Sequence, residues 1–91
     1  MDTNQIKLYR SVDVWVRLES DRVACYRCLK ILPGGGYVAQ GKDFFTLPVA
    51  ASASFLERQF VTLLAEIAPE ERGGEYPTLE QAIAAHEREL G

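Results

Sequence analysis

The chain has little of what catalytic and metal centres are usually built from. Its 91 residues contain one histidine, two cysteines and one tryptophan. A tetrahedral zinc site needs four protein ligands, or three and a water, and His86 with Cys25 and Cys28 forms no set that spacing selects. No apolar run approaches the ~18 residues that cross a bilayer. The opening "MDTNQIKLYR" has no apolar stretch behind a basic start, so no signal peptide is expected. Glycine forms its longest run in "PGGG" at 33–36. That run lies between two strand-like segments and is followed by neither Lys-Ser/Thr nor a helix start, so it reads as a hairpin tip and not as a phosphate cradle. The expectation is a cytoplasmic chain with reduced thiols, no cofactor, no bound metal and no membrane partner.

Charge is present but unevenly placed. The net charge of −3 divides into +2 over residues 1–45 and −5 over residues 46–91. The acidic balance opposes long-range attraction to nucleic acid, while Arg17, Arg22 and Lys30 leave a local basic surface in the first half. Asp13, Asp21 and Asp43 are scattered over different strands and turns, and no pair of them can be assigned to one site from spacing. Together with the single histidine, this predicts a chain that is not an enzyme.

The first half reads as strands. "VDVWVRLE" alternates, with Val12, Val14, Val16 and Leu18 on one side and Asp13, Trp15, Arg17 and Glu19 on the other, the pattern of a half-buried strand. Ser20 and Asp21 form a polar break, followed by "RVACYRCLKIL", "PGGG" and the strand-like "YVAQGKDFF", interrupted at Gly41. A two-residue loop at 20–21 would oppose residues whose numbers sum to 41: Val16 against Cys25, Leu18 against Val23, Val12 against Leu29, and Trp15 against Tyr26.

After Pro48 the period changes to that of a helix. Ser54 and Glu57 fit a capping box, and Leu56, Phe60, Leu63, Leu64 and Ile67 form one apolar stripe. Pro69 and "RGG" end it, leaving "APEERGGEYP" as the longest loop. Thr78 and Gln81 repeat the capping logic ahead of a second stripe, Leu79, Ala82, Ile83, His86 and Leu90. The predicted fold is α+β: a single domain over residues 1–91, with three or four antiparallel strands in meander order over about 6–47. Two helices, over about 54–68 and 78–90, are expected to pack on the valine face of that sheet.

"CYRC" poses the remaining chemical question. Residues three apart in a strand project to opposite faces, and ~10 Å along the strand exceeds disulfide reach, so Cys25 and Cys28 are expected to be structural, Cys25 in the core and Cys28 on the far face. The face opposite the valines is then the candidate interface: Trp15 beside Tyr26, with Arg17, Arg22 and Lys30 around them. These residue types are enriched at interface hot spots, and an uncovered face predicts a protein partner, most simply a second copy. An edge strand offers a second route to the same end. Two other readings use the same residues or charges. Single-stranded nucleic acid could stack on Trp15 and Tyr26, although the acidic balance disfavours it and no RNP1-like motif is present. The acidic second half could also mimic nucleic-acid charge, as a small inhibitor or immunity-type protein would.

Overall fold

The computed structural model describes residues 7–48 and 52–90, with the backbone course alone for residues 52–54 and 90. Three strands, β1 (Leu8–Glu19), β2 (Arg22–Leu32) and β3 (Tyr37–Thr46), form an antiparallel sheet in the order β1-β2-β3. Three helices come after them: α1 (Ser52–Glu66), α2 (Pro69–Gly73) and α3 (Leu79–Leu90). The α+β class and the meander therefore stand, with three strands and with one more helix than expected. Among the described residues, no helix is long and apolar enough to cross a membrane.

The first correction concerns register. At the turn, Glu19 opposes Arg22, as a two-residue loop requires, but a bulge between Arg17 and Glu19 inserts Leu18. Beyond it every pair sums to 40: Val16 faces Ala24, Trp15 faces Cys25, Val14 faces Tyr26 and Val12 faces Cys28. One inserted residue moves every partner to the other face, because the side-chain period is two. Trp15 and Tyr26 are thus on opposite faces. One face carries Val12, Val14, Val16, Ala24, Tyr26 and Cys28. The other carries Asp13, Trp15, Cys25, Arg27 and Leu29.

The second correction comes from β2. Its run of apolar residues is buried on both faces: Ala24, Cys25, Cys28 and Leu29 are each at most 1% exposed. A central strand of this kind needs cover on two sides. Helices accordingly pack on both faces rather than on one. On the valine face, α3 seats Ala82 against Tyr26, Cys28 and Ala39, with Leu79 and Ile83 beside them. It begins where Thr78 Oγ1 accepts from the Gln81 N–H at 3.1 Å, the predicted cap. Its far end is tied down by Glu87, whose Oε2 accepts from Tyr26 Oη at 2.8 Å and from Lys42 Nζ at 3.0 Å. Leu90, the last residue of the predicted stripe, has its side chain outside the described residues.

On the Trp15 face, α1 lays Leu56, Phe60 and Leu63 against Arg27, Gln40 and Asp43. The helix starts at Ser52, and the Ser54 side chain of the predicted capping box lies outside the described residues. Ile67 falls beyond the helix end and is exposed, so the stripe stops at Leu64. The segment expected to be loop contains α2. Pro69 at its start, Glu70 and Glu71 in its first turn and Arg72 in its last are ordinary helix signals. Pro69 is buried, and Glu70 accepts from Tyr9 Oη at 2.9 Å and from Lys7 Nζ, which fastens the start of β1.

β3 carries its own bulge. Arg27 faces Gly41 and Cys28 faces Ala39, so Gln40 is the extra residue, one position before the interruption predicted at Gly41. The "PGGG" tip is a tight turn with Gly34 at φ 69°, a conformation side chains resist. The tip leads to a short cap on the outer side of β3. There Tyr37 and Tyr76 exchange two backbone bonds, of 2.7 and 2.9 Å, and Gly36 N donates to Glu75 Oε2 at 2.6 Å.

Candidate interaction surface

Strand β1 borders β2 on one side only, and among the described residues no other segment pairs with its outer edge. Every non-proline residue carries a strong donor and acceptor, so a 12-residue strand with one free side is a template for another strand. The usual defences of an edge are a short strand, a proline, charged side chains, a bulge or a covering element. β1 is long and free of proline; it carries charges of both signs (Arg10, Asp13, Arg17 and Glu19), a bulge only near its end at Leu18, and one covering contact at its start, where Lys7 and Tyr9 meet Glu70. From Arg10 to Glu19 no described segment pairs with its outer edge.

Side chains along this edge are placed by the register. Val12, Val14 and Val16 are half-buried at the margin of α3's cover. On the other face Trp15 is 57% exposed and stacks at a tilt on Phe45, ring centroids 5.9 Å apart. The turn end of the sheet projects past both helices. Trp15, Leu18, Phe44 and Leu47 are all exposed there. This matches the elongated outline of 50 × 26 × 19 Å, since 12 residues of strand span ~40 Å.

The five residues expected to share a surface divide between the two faces. Trp15 and Arg17 lie on one. On the other, Tyr26 is 8% exposed beneath α3, with His86 edge-on at 6.4 Å and Lys42 Nζ 4.9 Å over its ring. Arg22 pairs with Glu19 at 3.1 Å and lies over the Phe44 ring, while Lys30 donates to the Gly35 carbonyl and lies over Tyr37. The adjacent Trp15–Tyr26 platform is therefore absent, and four of the five side chains, all but Arg17, already serve intramolecular contacts.

Sequence reasoning missed a charged hub. Arg27, with a side chain 13% exposed, donates through Nε to Asp43 at 3.0 Å and through Nη1 to Asp13 at 3.2 Å, with Glu57 of α1 at 3.6 Å. The aspartates that were scattered in the sequence converge because one side of β1, β2 and β3 brings 13, 27 and 43 into a row. The first pair required the Leu18 bulge, which puts Asp13 opposite Arg27. The second required the Gln40 bulge. Beside this hub, a cleft of about 40 Å³ between β3 and α1 holds the Gln40 side chain, whose Nε2 donates to the Phe60 carbonyl at 3.4 Å while Oε1 has no partner among the described residues. That volume suits about one water and no organic ligand.

Both thiols are reduced and buried, one on each face. Cys25 lies on the Trp15 face and Cys28 on the valine face, the reverse of the expected assignment, again because of the register. Burial pushes the Cys28 thiol up to about 12 and raises Cys25 as well, the opposite of an activated thiolate. Among the described residues, no group of three or more histidine, cysteine or acidic side chains is arranged to hold a metal ion. No family model, curated protein or solved structure matches this chain.

Proposed function

We propose that the chain is a non-enzymatic interaction module that self-associates through the outer edge of β1. The observation carrying this reading is the length of that edge, 12 residues without proline or bulge before Leu18 and without a pairing segment among the described residues. With helices on both faces, neither face remains a broad open surface, so the edge takes the place that the uncovered face held in the sequence reading. Pairing of two edges gives main-chain hydrogen bonds for affinity and alternate side chains for selectivity. A two-fold axis normal to the sheet makes the contact isologous, the commonest form of homo-oligomer.

The test is solution mass by light scattering, on wild type and on Trp15→Lys. Lysine in the middle of an edge opposes pairing, and at an exposed position it leaves the monomer fold intact. Wild type is expected at twice the 10.2 kDa chain mass and the variant at the chain mass, with equal circular dichroism. A monomeric wild type at high concentration overturns the proposal.

A further inference from the structure

The side chains of β1 select one register for that pairing. A two-fold axis normal to the sheet keeps each face continuous, so opposed residues must share a face and their numbers must have an even sum. The charges of β1 and its approach are Lys7, Arg10, Asp13, Arg17 and Glu19. A sum of 20 sets Arg10 against Arg10, a sum of 24 sets Lys7 against Arg17, and a sum of 26 sets Asp13 against Asp13; all three juxtapose like charges, which is unfavourable for directly opposed pairs. Sums of 28 and 32 avoid that but make no charge pair, since beyond the Leu18 bulge Glu19 lies with Arg22 on the face away from Asp13. A sum of 30 opposes Asp13 to Arg17 twice, once on each side of the axis, with no like pair.

Resting on the self-association reading, we infer that two copies join with Trp15 on the two-fold axis, Asp13 of each facing Arg17 of the other. Three further observations fit this arrangement. Arg17 is exposed and makes no ion pair among the described residues. Asp13 keeps a third of its side chain accessible while holding Arg27 through one oxygen, Oδ2, and its other oxygen has no bond among the described residues. Trp15, the largest exposed ring on β1, lies beside the junction, where pairing of the two edges would cover part of its exposed surface. On the other face Val14 meets Val16, and the two valine stripes become one. The segment from Lys7 to Arg10 stays outside the junction, where Glu70 already engages Lys7 and Tyr9.

The occupant is thus a second copy of this chain, chosen by charge complementarity that only this register supplies. The experiment uses two charge reversals of the full chain, Arg17→Asp and Asp13→Arg, measured by light scattering alone and as an equimolar mixture. Each variant alone opposes like charges twice and should dimerise about tenfold or more weakly than wild type. Mixed, they restore complementarity at both positions, and a heterodimer of wild-type affinity should form. Because Asp13→Arg also removes a partner of Arg27, a second measurement avoids that position. Trp15→Cys should give a covalent dimer under mild oxidation, the two introduced thiols meeting on the axis, whereas Arg17→Cys should not. A wild-type monomer removes the self-association reading and the register with it. A wild-type dimer whose folded variants stay dimeric, whose mixture stays monomeric, or whose Arg17→Cys form crosslinks as readily as Trp15→Cys overturns the register and leaves self-association standing.

Discussion

Strands β1 and β3 each have one side without a strand neighbour, yet they end differently. β3 bends at Gln40, receives α1 and α3 on its two faces, and has its first residue bridged to Tyr76. β1 runs straight to Leu18 and is fastened only at its start. The difference lies in where the chain goes after each strand. β3 leads directly into the helical half, which folds back over it and brings Tyr76 alongside. β1 leads only into a tight hairpin, so nothing later in the described chain is routed past its outer side. Edge protection here is a product of connectivity, and the unprotected edge is the one proposed above to take a partner.

The largest effect should come from the strand both edges share. Leu29 is 1% exposed, and Leu29→Ala should destabilise the fold by about 2–5 kcal/mol, read from urea denaturation. It should loosen both edges together. Gly36→Ala separates them. An added Cβ there collides with the Tyr76 carbonyl, so the β3 cap should open at a cost of about 1–3 kcal/mol. Hydrogen exchange should accelerate at the Tyr37 and Tyr76 amides and stay unchanged along β1. Equal acceleration on both strands would mean that the two edges are not independent.

Acid should act on the fastenings of both sides. Hydrogen bonds from Tyr26 and then Lys42 hold the Glu87 carboxyl below its ordinary 4.5. Burial pushes Glu70 up, but bonds from Lys7, its own backbone and Tyr9 outweigh this and leave it lowered from the same value. A carboxylate with a depressed native pKa binds fewer protons folded than unfolded. Its stabilisation is therefore complete above 4.5 and is lost as pH falls through the lowered native value. Thermal melts between pH 6 and pH 3 should show this loss, with the acid slope shallower in both Glu70→Gln and Glu87→Gln. The smallest effect is expected at the cysteines. With Cys28 near 12 and both side chains enclosed, a thiol reagent at neutral pH should label neither until denaturant is added.

Much of this fold was legible because alternation and helical stripes are local. The strand positions, the "PGGG" tip, the interruption at Gly41 and the start of α3 at Thr78 all stem from residues within a few positions of one another. The burial of β2 on both faces was legible too, in the largely apolar run from Val23 to Leu32, although the valine alternation of β1 drew attention to one face only. The register was not legible. Leu18 fits the valine side of the alternation as well as any residue, and only tertiary pairing shows that it is the one left over. That single residue decided the candidate surface, since it carried Tyr26 under α3 and left Trp15 without its supposed neighbour. α2 was missed for a different reason, its five residues being too few to show a period.

The bridge between Tyr37 and Tyr76 also bears on how far assembly can proceed. A sheet with two equivalent open edges can add copies at either side and grow into a filament. In the dimer proposed above, β1 would be consumed at the two-fold junction and each end of the joined sheet would be a β3, bent by its bulge and already hydrogen-bonded to Tyr76 at its first residue. The cap on one strand would then act against growth beyond the pairing proposed for the other.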